Sequence, residues 1–596
     1  MFAACLLMIS YVVATSSSSS SLASAQLDFG NVRLDHILWG EHDTQLHSAA
    51  KRDVSTSSTR VADPACSNSP STRSCWSQGF NVATDFDAKW PTTGKTVSVH
   101  CQKLVINTGA DWGDRITVTI RNKMQDNGTS IHWHGIRQLK SVTMDGVNGI
   151  TECPLAPGQA QTYSFLATQF GTTWYHSHHS AQYGDGIFGA IVINGPSSSN
   201  YDFDMGPTLL NELYYQPAFQ VSALTNAKAQ MGQPGPASDG ILIAGKGKNA
   251  ANTSGSYTQY NMTKGKKYLF RLINASMDSA LRVSIDNHTM QVITADFVPV
   301  KPVVVDSVML AIGQRYHVLV SANQAVGSYW MRAVVESACA SACKVTGGLA
   351  VVSYGGAPPG NPNSSTTAID RGCNSPDPLT PWVPNTVGNS TAFINQAKQL
   401  DVNLYLPGTT TNNANIVVWG VNMSAIDVQW EIPTLNYVAT GNMSYPQTEN
   451  LIEIPKQGIW TYWIIQEVQG GIISIPHPIH LHGHDFYILG TGTGKFDIDK
   501  DPANLTYSNP TRRDTATLPA AGWLVIAFPT DNPGAWLMHC HIAWHIAEGL
   551  GVQFLESKSL IAGGSPQSPG PAWNNQCSAW NRYYSTSYWK KDDSGL

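Results

Sequence analysis

A chain of 596 residues is long enough for two to four domains with ample core. Only 13% of residues are charged, and 36 Lys and Arg against 41 Asp and Glu leave a net charge of -5, a balance that argues against a nucleic-acid or anionic-membrane partner. Abundant Gly, Pro, Ser, Thr and Asn between short Val, Ile, Tyr and Trp runs favour an all-β protein of sandwich type.

The chain opens on an apolar stretch, Phe2 to Ala14, then Ser-rich sequence and Ala23-Ser-Ala25. This fits a signal peptide over 1–25 and is too short for a membrane span. Lys51-Arg52 is a dibasic pair in a polar segment and suggests a propeptide over 26–52. Ten Asn-x-Ser/Thr sequons, at Asn127, Asn252, Asn261, Asn274, Asn287, Asn363, Asn389, Asn422, Asn442 and Asn504, suit a secreted glycoprotein, with those in buried strands left unmodified. Of the ten cysteines, Cys5 leaves with the signal. Eight others besides Cys540 suggest disulfides whose connectivity sequence alone does not give; Cys66 and Cys75 read as a short-loop pair.

Three regions follow, 53–200, 201–380 and 381–596. The first holds Ser130-Ile-His-Trp-His-Gly-Ile136 and Gly171-Thr-Thr-Trp-Tyr-His-Ser-His-His-Ser180. The third holds Ile475-Pro-His-Pro-Ile-His-Leu-His-Gly-His-Asp-Phe486 and Leu537-Met-His-Cys-His-Ile-Ala-Trp-His545. Trp-Tyr-His-Ser-His leading to Gly-Ala-Ile-Val-Ile has the same frame as Trp536-Leu-Met-His-Cys-His leading to Gly551-Val-Gln-Phe, and Ser328-Tyr-Trp-Met-Arg332 repeats it without histidines. Three copies of one β unit are implied, with ligands in the outer two and a spacer between them. No long helix-period segment is evident, and Trp573 to Leu596 reads as a polar, aromatic tail.

Twelve of the 18 histidines fall in the four clusters. Alternate side chains of a strand share a face, so His132 and His134, His176 and His178, and His539 and His541 form pairs, with Cys540 directed to the opposite face from the last pair. His545 can close back onto Cys540, and Leu550 falls where a weak axial ligand could stand. One thiolate with two imidazoles and no strong fourth ligand is a blue-copper arrangement, whereas structural zinc calls for closed four-ligand sets.

On these four motifs the sequence resembles the multicopper oxidases, and among them the ascomycete laccases, over essentially the whole mature chain. The resemblance implies three sequential cupredoxin-like domains and four copper ions. His477, Cys540 and His545 would hold the type 1 copper beside a non-bonding Leu550. His132 and His480 would hold the type 2 copper. His134, His176 and His541 would hold one type 3 copper and His178, His482 and His539 the other, with His179 and His484 not ligands. Disulfides Cys153–Cys577 and Cys339–Cys373 are implied, leaving Cys101 and Cys343 without a partner, or Cys343 in competition with Cys339.

The implied reaction is one-electron oxidation of phenols and aromatic amines coupled to reduction of dioxygen to water, in a secreted monomer. His545 would present an imidazole edge near the surface as the electron entrance. Asp278 lies where laccases place an acid that accepts the phenol proton, Asp145 resembles the acid beside the type 2 copper, and Asp592-Asp-Ser-Gly-Leu596 resembles the ascomycete C-terminal plug. The alternatives are another multicopper oxidase acting on ferrous iron, ascorbate or bilirubin, and a copper electron carrier without turnover. The physiological substrate stays open among lignin-derived phenols, pigment precursors and toxic phenolics.

Overall fold

The computed structural model describes residues 96–100, 106–365, 371–373, 379–406, 416–467 and 473–596. The signal peptide, the propeptide, the Cys66–Cys75 pair and Cys101 lie outside the described residues.

The all-β expectation holds. Strands between 96 and 194 form a three-stranded and a four-stranded sheet, strands between 203 and 354 a five- and a six-stranded sheet, and strands between 398 and 556 a six- and a five-stranded sheet. The alternation in Arg115-Ile-Thr-Val-Thr-Ile-Arg121 shows why a pair of sheets forms: Ile116 and Val118 are buried while Arg115 and Arg121 are exposed. Strand Gly534–Cys540 lacks that alternation because all seven residues are buried.

The internal repeat is real in three dimensions. Gly171–Ser177 pairs antiparallel with Phe188–Asn194, Gly534–Cys540 with Gly551–Glu556, and Ser328–Val335 with Gly347–Tyr354. In the outer units the partner strand on the other side carries the second histidine pair. Its register sets His132 opposite His176 and His480 opposite His539. Residues opposite each other across an antiparallel pair are close neighbours, so pairing alone brings the motifs together. The glycine closing each His-x-His-Gly motif has a left-handed backbone, φ 73° at Gly135 and 72° at Gly483. A Cβ on Gly483 would also lie 2.3 Å from the Trp536 ring.

Two helices depart from the sequence reading. Ala218–Ala229 forms one over a stretch in which polar and apolar residues are mixed, with Ala218, Val221 and Thr225 buried at i, i+3 and i+7. Pro571–Thr586 forms a 16-residue helix where a tail was expected. Its buried Trp573, Gln576, Cys577 and Trp580 stand at i, i+3, i+4 and i+7, a helical stripe masked by the polar residues between them. Pro571 opens the helix, where its missing N–H is not needed. The terminal residues are equally settled: Ser594 N–H donates to Ala547 O, the Trp430 indole N–H donates to Gly595 O, and Leu596 is buried.

The Cys153–Cys577 disulfide ties this helix to the first unit, and Cys339–Cys373 closes a loop of the second. Both pairings match the resemblance, and Cys343 is a free, half-buried thiol. Asn274 is a buried sequon: its Nδ2 donates to Ser279 O and Leu310 O, so it has no room for a glycan. Trp580→Ala should remove the centre of the helix packing against Gly128 and Trp430, and the stack with Tyr584 one turn on. The expected loss is about 3 kcal/mol, read as a lower urea midpoint.

Candidate metal centre

Two sites form on opposite sides of one strand end. In the first, the Cys540 Sγ lies 3.5 Å from His477 Nδ1 and 3.5 Å from His545 Nδ1, and the two nitrogens are 3.2 Å apart. Among the described residues this group contains no fourth His, Cys or carboxylate donor. Leu550 is buried, and its backbone is held on both partners: Cys540 N–H donates to Leu550 O, and Leu550 N–H donates to His545 O. Burial pushes the Cys540 thiol up, and burial and then His477 hold His545 well below the ordinary histidine range. The Trp419 ring lies 4.6 Å from that of His545 and meets His477 edge-on at 4.7 Å. Only 8% of His545 is exposed.

The second site is a cluster of eight imidazoles, all buried. Its ligand atoms gather in overlapping groups within 4.8 Å: His132, His134 and His480; His134, His176 and His541; His178, His482 and His539; and His132 and His482 with Asp145. Close pairs join the repeats, with His541 Nε2 3.2 Å from His134 Nδ1 and His482 Nε2 3.3 Å from His539 Nε2. His179 and His484 stand outside these groups. His179 bonds Asn148 and Asn127 and stacks on Trp430, while His484 bonds Glu556.

Hydrogen bonds decide which ring nitrogen faces inward. The Nδ1 atoms of His132, His176, His480 and His539 lie 2.8, 2.9, 2.8 and 2.8 Å from the carbonyls of Asp145, Ser177, Asp514 and Cys540. A carbonyl only accepts, so each Nδ1 carries the proton and each Nε2 is a bare lone pair. The Nε2 atoms of His132, His176 and His480, and both nitrogens of His178, are buried without a partner. Burial, reinforced by the neighbouring rings, holds His134, His176, His178, His480, His482 and His541 well below the usual range, so they are neutral donors. Buried, unpaired lone pairs are costly unless something electron-poor sits among them. Imidazoles and one thiolate are the donor set that copper takes, so the residues fit that metal.

Carboxylates orient the rings. Asp145 Oδ2 accepts from His482 Nδ1 at 2.9 Å, and its Oδ1 is 3.3 Å from His132 Nδ1. Asp514 accepts from His134 Nε2 at 3.2 Å, which turns His134 so that Nδ1 faces the cluster. Motif reading missed Asp514 and its supports. Arg315 clamps Asp514 with two bonds of 2.6 Å, and Asp296, also from the second unit, holds Arg513. It also missed Trp419, and Glu467, whose Oε1 lies 3.6 Å from His477 Nε2. Arg512-Arg-Asp514 is a visible charge run, but nothing in its spacing points to the histidines. Asp278 lies outside the clusters, partly exposed, on the loop whose Met277 carbonyl accepts the Ala543 N–H of the helix bearing His545.

Comparison with known proteins agrees with this geometry. Three multicopper oxidase family models match residues 89–198, 204–357 and 422–559. The chain belongs to the multicopper oxidase family. Laccase-3 of Botryotinia fuckeliana is 50% identical over 451 residues, covering 75% of this multicopper oxidase and 98% of that protein. A laccase of Neurospora crassa is 43% identical over 571 residues, covering 89% of each. The crystal structure of a Botrytis aclada laccase superposes with a TM-score of 0.79 at 36% identity, covering 89% of this chain and all of that one. This multicopper oxidase is therefore an oxidoreductase of the laccase type, built from three cupredoxin-like domains, and its family implies copper.

Arg315→Met should leave the buried Asp514 carboxylate without its cation. The expected cost is about 3–5 kcal/mol, measured as a fall in the thermal unfolding midpoint.

Proposed function

We propose that the protein is a secreted laccase with four copper ions. In this reading His477, Cys540 and His545 hold the type 1 ion beside Leu550. His132 and His480 hold the type 2 ion, His134, His176 and His541 one type 3 ion, and His178, His482 and His539 the other. Domain limits of 53–200, 201–380 and 381–596 accompany this assignment, and the strand groups at 96–194, 203–354 and 398–556 are consistent with them. The observation that carries the proposal is the tripeptide His539-Cys540-His541. Its sulfur belongs to one donor group and its two imidazoles to the other.

Copper would supply one-electron acceptance at the thiolate site and four-electron reduction of dioxygen to two waters at the imidazole cluster. The chain does the rest. Cys540 and its two sequence neighbours give a short covalent path between the sites. Burial of every ring excludes bulk water. Asp145, bonded to His482 and close to His132, is placed to deliver protons at the cluster. With copper held there, a hydrophobic Leu550 rather than a further donor beside Cys540 would raise the potential of the mononuclear site, which would suit phenols and aromatic amines.

Asp278 is the proposed base for the phenol proton. Burial first, and then the neighbouring Glu212, hold its carboxyl well above the usual carboxylate range. A base works only when deprotonated, so phenol oxidation falls as pH drops through that raised value. General-base catalysis contributes on the order of 10²-fold, the loss expected in phenol kcat/KM for Asp278→Asn, measured relative to a donor without a proton such as ferrocyanide.

Cys540→Ser tests the main proposal. The expected variant is colourless and nearly inactive on phenols, yet retains copper at the imidazole cluster by metal count. A variant that stays blue and active refutes the assignment. Oxygen uptake with a phenol and with ferrous iron distinguishes a laccase from a ferroxidase.

A further inference from the structure

Glu212 is the penultimate residue of the strand Phe203–Leu213 in the second unit, outside both donor groups and every motif in the sequence. It is buried, and four donors converge on it. Its Oε2 accepts from the amides of Met277, Asp278 and Ser279 at 2.9, 2.7 and 3.1 Å, and its Oε1 accepts from Ser279 Oγ at 2.6 Å. The three amides can only donate, and their convergence on one oxygen favours the charged form of the carboxylate.

Three consecutive amides on one oxygen curl residues 277–279 around Glu212. The outer side of the same loop docks on the copper-binding units. Met277 O accepts from Ala543 N–H at 2.9 Å, and Ser276 O accepts from the Tyr183 hydroxyl at 3.2 Å. Ser341 Oγ contacts the Asp278 carbonyl at 3.4 Å and accepts from Ala280 N–H at 2.9 Å. Asp278 thus rides on a loop pinned from behind by one side chain and held in front against the helix of His545.

We propose that Glu212 is a positioning residue of the substrate site: it fixes where Asp278 stands on the loop that contacts the helix of His545, and sets a like charge next to it. The inference rests on the laccase reading. In the step concerned, phenol gives one electron to the mononuclear site and its O–H proton to the Asp278 carboxylate. The products are a phenoxyl radical and a protonated Asp278, which returns its proton to water. The charged and titratable groups around Asp278 are Glu212, the phenols of Tyr183 and Tyr214, and the Cys540 thiol, with the Cys343 thiol beyond Tyr214. Both tyrosines are pushed up by burial first and by these carboxylates next, so they add no charge that competes with Glu212. Two carboxylates in one site favour protonation of one of them, so Glu212 delays Asp278 from becoming a base as pH rises.

Glu212→Gln keeps an oxygen for the three amides, and the Ser279 hydroxyl can turn to accept from the new amide, so only the charge is lost. Glu212→Asp keeps the charge and loses reach. Both holoenzymes are assayed from acid to neutral pH with a phenol and with ferrocyanide, and kcat/KM for the phenol is divided by that for ferrocyanide at each pH. The expected result for Glu212→Gln is an acid limb displaced downward by about one pH unit. For Glu212→Asp, KM for the phenol rises severalfold and the limb stays near that of the wild type. Infrared titration of the Asp278 carboxyl C=O band, identified by its loss in Asp278→Asn, should move with the limb and needs no turnover. An unmoved limb and an unmoved band in Glu212→Gln overturn the inference while leaving the laccase reading intact, and so does an equal displacement in both variants. A wild-type protein that oxidises ferrocyanide but no phenol overturns both.

Discussion

The centre of this protein depends on hydrogen bonds made on the far side of six of the eight cluster rings. A histidine whose Nδ1–H is given to a carbonyl must aim Nε2 the other way. At His132, His176, His480 and His539 those carbonyls belong to Asp145, Ser177, Asp514 and Cys540, so the backbone itself fixes the direction of each lone pair. His134 is the exception, because its Nε2 is taken by Asp514 and the inward nitrogen is Nδ1. The result is a preformed, uncharged, electron-rich cavity whose cost in unmet hydrogen bonds is offset when metal fills it.

Much of this was legible in the sequence for a simple reason. Strand pleating has a period of two, so His-x-His and His-Cys-His declare which side chains share a face before any fold is known. The repeat of a Trp followed within three residues by His-x-His or His-Cys-His, leading to a strand that opens on Gly, adds that two such faces belong to equivalent units, and within each unit the observed register sets that strand opposite the one bearing His-x-His-Gly. What was not legible involves partners far apart in the chain. Arg315 and Asp514 are 199 residues apart, and Glu212 and Asp278 are 66 apart. Neither pair has a spacing rule: the first is fixed by how two units dock and the second by the fold within the middle unit, not by a local period. The helix at Pro571–Thr586 was hidden differently. Its buried stripe includes Gln576 and Cys577 and is interrupted by Asn, Ser and Arg, so its mean composition is that of a loop.

The same residues explain why the unit without metal ligands is more than a spacer. Asp296 and Arg315 of the second unit grip Arg513 and Asp514 of the third, and Asp514 in turn orients His134 of the first. Three parts of the chain therefore meet at one buried ion-pair network behind the cluster. The same unit reaches the other site through Glu212 and the Asp278 loop, which contacts the helix of His545.

That network constrains how relatives can be recombined. A chimera that takes its middle third from one parent and its last third from another inherits Arg315 and Asp514 from different histories. Unless both parents carry the same four charged residues with matching reach, the hybrid buries an uncompensated ion within two bonds of a cluster histidine. Crossover points that look neutral at the surface would then fail at the centre, and the safer unit of exchange is the linked pair of thirds rather than either one alone.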